Sequence, residues 1–200
     1  MEPTVLPTIP GTRIRLRRLT SVDVDGIYTI FSDSKVMRYW STPPLPDKDA
    51  AARLLDEIVR DVDRGTILKW GIALNTNDAV IGTTTLFNLD LDNGRAEIGY
   101  ALARDFWGQG YMSEALQALL EYSFEVLRLR RLEADVDPRN DASIRTLERL
   151  GFRREGFLRE RWHVSGEIQD ALFYGLLKRE WREQEQEQEQ EQEQEQEQEG

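Results

Sequence analysis

Hydrophobic residues recur along this chain with two periods, and the switches between them lay out its elements. From Thr12 to Leu19, Ile14 and Leu16 alternate with arginines, which predicts a half-buried strand at a sheet edge. Thr20-Ser21-Val22-Asp23 has the form of a capping box and predicts a helix with an apolar face of Val22, Ile27, Ile30 and Phe31. Beyond the proline-stiffened stretch Ser41 to Pro46, Ala51, Leu54, Leu55, Ile58 and Val62 fall at helical spacing. Asp47 to Arg64 therefore reads as a second amphipathic helix. Ile67 to Leu74, Ala79 to Phe87 and Ala96 to Ala103 are apolar, β-branched runs. Asn75-Thr76-Asn77-Asp78 and Asn93-Gly94 separate them as turns, so two successive hairpins are expected. A helix from Tyr111 to Leu127, a strand from Arg131 to Asp137 and a short helix from Asn140 to Leu150, stopped by Gly151, follow. Segments around Phe157 and from Ala171 to Leu177 complete the sheet as an antiparallel pair. The order predicts a mixed α/β domain without internal repeats.

Composition narrows the class. Two hundred residues with 40% hydrophobic content support one core, and no apolar run is long enough to span a bilayer. Met1-Glu2-Pro3-Thr4 lacks the basic and apolar regions of a signal peptide, so a cytoplasmic location is expected. There is no cysteine, which excludes a disulfide framework and a thiol nucleophile. His163 is the single histidine and has no ligand-spaced companion, so no metal is expected. Nine of the eleven net negative charges lie in the Glu-Gln repeat from Glu183 to Glu199, leaving a nearly neutral body. Neither nucleic acid nor membrane is implied as a partner, and the clusters Arg13, Arg15, Arg17, Arg18 and Arg128, Arg130, Arg131 read as solvated strand and helix ends. The repeat favours helix by propensity but offers no apolar face and sets like charges four residues apart, so residues 183–200 are expected to be a disordered or solvated helical tail.

The chemistry concentrates at Gly108-Gln109-Gly110, a glycine-lined turn between a strand and a helix. Such a turn presents N–H groups without intrahelical partners at the positive end of the helix dipole, the makings of a phosphate cradle. A Walker loop is excluded because no lysine follows the second glycine. A dinucleotide fingerprint fits poorly, since Ser113 stands at the third glycine position and the incoming strand belongs to a hairpin. Asp90-Leu91-Asp92-Asn93-Gly94 lacks the register and the distal glutamate of a calcium loop, and reads as a turn.

Four pieces in order, Ala96-Glu97-Ile98-Gly99-Tyr100-Ala101-Leu102, Trp107-Gly108-Gln109-Gly110-Tyr111-Met112-Ser113-Glu114-Ala115, Asn140-Asp141-Ala142-Ser143 and Leu150-Gly151-Phe152, resemble the GCN5-related N-acetyltransferases (GNAT). The Trp-Gly-x-Gly-Tyr form is similar to the RimJ/RimL-like branch. The resemblance spans about residues 12–180. It implies a 1–11 extension, a 12–182 catalytic domain, and a mostly antiparallel sheet of six to seven strands, splayed near the coenzyme and flanked by about four helices. It also implies acetyl-CoA as cosubstrate. Gly108, Gln109, Gly110, Tyr111, Met112 and Ser113 would hold the pyrophosphate. Tyr100, Ala101 and Leu102 would pair through the main chain with the pantetheine arm, one N–H serving as oxyanion donor, and Asn140 would touch that arm or hold the splay open. Ser143 would be proton donor or hydrogen-bond partner to the thiolate. Asp105 stands where the family usually has Gln or Arg, which removes that side-chain contact. Glu97 is the candidate base, with Glu155 and Glu160 as alternatives. The acceptor is an amine of a protein N-terminus or a small molecule, attacked directly in a ternary complex by a monomer or homodimer. Met37-Arg38-Tyr39-Trp40 lies in the region that lines the acceptor side in relatives. The rival class is an acyl-CoA-binding module without turnover, and a dinucleotide oxidoreductase ranks behind it.

Overall fold

The computed structural model describes residues 6–199 except Ser165, leaving out the side chains of 188, 189 and 191–199. Residues 1–5, and with them the proposed absence of a signal segment, lie outside the described residues. One eight-stranded sheet has the order β1-β2-β3-β4-β5-β6-β8-β7. Its strands are β1 (Ile9–Pro10), β2 (Ile14–Arg17), β3 (Leu68–Leu74), β4 (Val80–Asp90), β5 (Arg95–Leu102), β6 (Arg131–Val136), β7 (Arg153–Val164) and β8 (Glu167–Leu177). The helices are α1 (Val24–Phe31), α2 (Lys48–Asp63), α3 (Tyr111–Glu121), α4 (Asp141–Arg149) and α5 (Lys178–Glu199).

This is the mixed α/β fold that the element order predicts, with the mostly antiparallel sheet that the resemblance implies. The strand count exceeds six or seven because the two-residue β1 pairs outside β2, and a fifth helix follows β8. All pairings are antiparallel but one. β5 and β6 run parallel and pair only at Arg95↔Arg131, Ala96↔Leu132 and Glu97↔Glu133, then part.

Strand alternation assigns the two faces. Lys69, Thr85 and Gly99 are cross-strand neighbours, and the Lys69 ammonium lies over the Phe31 ring of α1, so their face carries α1 and α2. Trp70, Thr84 and Tyr100 face the other way, where Trp70, fully buried, meets Tyr122 edge-on just beyond α3. The Trp70 indole N–H donates to the Pro7 carbonyl at 2.8 Å, and Leu6 is buried, so this N-terminal segment covers core.

Three expectations about local structure are corrected. Val22 does not join the α1 face: the first turn after Thr20 is a tight 3₁₀ turn at Ser21–Asp23, which rotates Val22 outward to 83% exposure. The helix predicted to Leu127 is α-helical only to Glu121 and continues as a π-helical turn at Tyr122–Val126, where the buried Ser123 hydroxyl donates to the Leu119 carbonyl at 2.6 Å. β4 runs past Phe87 to Asp90 because its register with β5 shifts between those residues, with Asn88 in a left-handed conformation.

Candidate active site

The turn between β5 and α3 is built by two glycines with φ of +70° (Gly108) and +82° (Gly110), a region where a side chain is strained. A Cβ placed on Gly108 would meet nothing within 4 Å, so the space above the turn is open. The first main-chain bond of α3 is from the Glu114 N–H to the Gly110 carbonyl, and among the described residues the amides from Gly108 to Ser113 find no main-chain acceptor. An open turn presenting N–H groups without main-chain acceptors fits a diphosphate.

Supports hold the turn in place. The Gln109 side-chain amide donates to the Asp105 carbonyl at 2.7 Å, and the Trp107 indole donates to the Leu102 carbonyl at 2.7 Å. Arg13, from the edge of β2, donates to the Gln109 carbonyl at 2.9 Å, lies 4.4 Å from the Tyr111 ring centre and pairs with Glu114 at 2.8 Å. Glu114 also accepts the Arg13 main-chain N–H at 2.7 Å. Burial pushes the Glu114 carboxyl up, but the Arg13 bonds outweigh it and leave it below the usual carboxylate range.

The parting of β5 and β6 begins one residue beyond Glu97. On the α3 face Tyr100 reaches α4, where its phenol shares a 2.6 Å hydrogen bond with the Ser143 hydroxyl. Burial, offset in part by that bond, pushes the phenol up to about 12, so Tyr100 stays protonated through the physiological range. Asn140 caps α4, its side-chain oxygen accepting the Ser143 N–H at 3.2 Å.

Glu97 lies on the opposite face with Gly99 and Ala101. The shifted register of β4 brings the Asn88 amide to its carboxylate at 2.9 Å. The rival bases are placed differently. Glu155 is paired with Arg131 at 2.6 Å, and that bond holds its carboxyl below the usual range. Glu160 is exposed on β7, where its main-chain N–H donates to Asp170 at 2.8 Å.

Residues 13–153 match the model of the acetyltransferase (GNAT) domain. The chain belongs to the GNAT acetyltransferases. It is 37% identical to the N-acetyltransferase p20 of Bacillus licheniformis over 177 residues, covering 88% of this chain and 99% of that protein. The crystal structure of a GCN5-related N-acetyltransferase from Brucella melitensis superposes with a TM-score of 0.80 at 25% identity, over 90% of this chain and 82% of that one. RimL, a ribosomal L7/L12 α-N-protein acetyltransferase solved in complex with coenzyme A, shares the fold with a TM-score of 0.77 at 22% identity, over 86% and 98%. The protein is thus an acetyl-CoA-dependent N-acetyltransferase. No helix of the described residues is long and apolar enough to cross a membrane.

Several contacts of the arginine clusters and of the candidate site are not revealed by the sequence pattern. Arg13 reads there as a solvated strand end but clamps the glycine turn from almost a hundred residues away. Arg15 and Arg17 likewise close on Asp78, and Arg17 grips the buried Asp23 at 2.8 Å. The Tyr100 side chain bonds Ser143 across 43 residues, a contact with no local signal. Asp135, on β6 and on the Glu97 face, accepts from Arg161 at 3.0 Å through one oxygen, while its Oδ1 is buried without a partner among the described residues. The Met37–Tyr39 turn approaches the β6–α4 connection through Arg139, which lies 5.9 Å from the Tyr39 ring centre.

Proposed function

We propose that acetyl-CoA is held in the gap where β5 and β6 part, with its diphosphate on the amides of Gly108, Gln109, Gly110, Tyr111, Met112 and Ser113. The main chain of Tyr100, Ala101 and Leu102 pairs with the pantetheine arm as if with an added strand, and the Asn140 side chain contacts it. The pairing of β5 with β6 stops after three residues, at Glu97, and leaves the Tyr100–Leu102 stretch that leads to the glycine turn without a partner from β6; this carries the reading.

Glu97, steadied by Asn88, takes a proton from the acceptor ammonium directly or through one water. The neutral amine attacks the acetyl carbon, whose oxygen an N–H of the Tyr100–Leu102 stretch polarises. Ser143 gives its proton to the departing thiolate, and the Tyr100 O–H supports the oxygen left behind. The second proton shed by the new amide nitrogen restores Ser143. Transfer is direct, which suits a chain without cysteine.

The acceptor is a primary amine of a protein N-terminus or a small molecule, and the reaction belongs to the cytoplasm, carried out by a monomer or homodimer. Free-thiol release from acetyl-CoA with a panel of peptides, polyamines and aminoglycosides tests this. One class should give acceptor-dependent thiol, and Glu97→Gln should lower kcat by about a hundredfold with coenzyme affinity kept. Tight coenzyme binding without thiol release from any amine would instead favour a binding module.

A further inference from the structure

At the end of the β5–β6 pairing away from the glycine turn, a cavity of about 530 Å³ is lined by Arg95, Arg130, Arg131, Lys178 and Arg179 together with Asn93 and Leu177, and by no carboxylate. Three of these cations are committed to acids outside the lining. Arg95 pairs with Asp90 and Glu133, Arg131 with Glu133 and Glu155, and Lys178 with Glu125. Arg130 and Arg179 are exposed and meet no carboxylate among the described residues.

Arg130 is held in position. Its Nη2 donates to the Asn93 carbonyl at 2.6 Å and its main-chain N–H to the Gly94 carbonyl at 2.6 Å. Its stem lies against Gly94, where a Cβ would come within 3.3 Å of it. An anchored guanidinium fork and a second arginine in one lining, both without a carboxylate partner, gain charge-assisted bonds when an anion enters. The volume suits more than one phosphate group.

We infer that this cavity binds a multiply charged oxyanion of the diphosphate or triphosphate class, held chiefly by Arg130 and Arg179. The site is distinct from the glycine turn and does not depend on the roles proposed there. It adjoins the acetyl-transfer site, because Arg95 and Arg131 both grip Glu133, the residue paired with Glu97 across the parallel ladder.

Isothermal titration of the full chain with inorganic tripolyphosphate at low salt tests the assignment, using wild type, Gly108→Glu and the double variant Arg130→Gln/Arg179→Gln. Binding should persist in Gly108→Glu, whose glycine turn is blocked, and weaken by about tenfold or more in the double variant. Both arginines are exposed, so the double variant should fold, and circular dichroism checks that it does. No heat in wild type, equal affinity in the double variant, or a loss confined to Gly108→Glu would overturn the site.

Discussion

Gly108 is the residue at which shape and chemistry meet most directly. The space above it is open but its φ is positive, so Gly108→Glu should keep the fold at a cost of about 1–2 kcal/mol in backbone strain while coenzyme A binding is lost, because a carboxylate would meet the diphosphate. Calorimetry with coenzyme A measures this, and retained affinity would count against the cradle. A second test concerns the Tyr100–Ser143 pair. Ser143→Ala should lower kcat by about ten- to a hundredfold with the KM for acetyl-CoA nearly unchanged, and Tyr100→Phe should reproduce part of that loss. An unaffected kcat in both would remove the pair from proton transfer. The glycine turn is legible in the sequence because its residue types and spacing are local, and Ser143 enters only through the family resemblance. Tyr100 as a partner of Ser143 and Arg13 as a clamp are not legible, since each contact closes a long excursion of chain.

At the scale of elements, both hairpins and the cores of β2 to β6, β8 and α1 to α4 follow from periodicity, because a half-buried strand and an amphipathic helix each impose their own repeat on the residues, whereas β1 and the start of α5 carry no such pattern. Predictions failed at a helix start and a helix end, where a 3₁₀ turn turns Val22 outward and a π-helical turn follows Glu121. Such local changes in helical pitch depend on what packs against the element. α2 carries a further consequence. Lys69 of β3 lines a crevice too narrow for water together with Arg18, Leu19, Ile58, Val59 and Val62, and burial lowers its ammonium to about 8. A lysine depressed in the folded state relative to the unfolded one penalises folding fully below about pH 8, and the penalty fades as pH rises towards 10.5. Lys69→Met should therefore stabilise by about 1–2 kcal/mol at pH 7, a figure discounted for partial exposure and for the Phe31 contact, and by less at pH 9.5. Urea unfolding at both values checks the sign; a gain that grows with pH would refute it.

Over the whole molecule, α5 joins the domain at its start. Trp181 is buried against Phe124, Arg182 pairs with Glu125 at 3.0 Å, and the Gln184 side chain sits over Gly151 at the end of α4. Truncation after Glu187 should shift Tm by no more than about 2 °C, whereas removing Trp181 and everything after it should cost about 3 kcal/mol. Thermal unfolding of the two truncations separates these outcomes, and equal losses would show that the acidic run itself contributes to the fold. The sequence by itself determined the element order, the mixed α/β class, the glycine turn and the family resemblance, since each is written in neighbouring residues. Tertiary structure alone decided where β5 and β6 part, which carboxylates are already taken by arginines, and that Arg13, Tyr100 and Arg130 face their partners. Those facts depend on register and on distances between segments far apart in the chain, which no local pattern encodes.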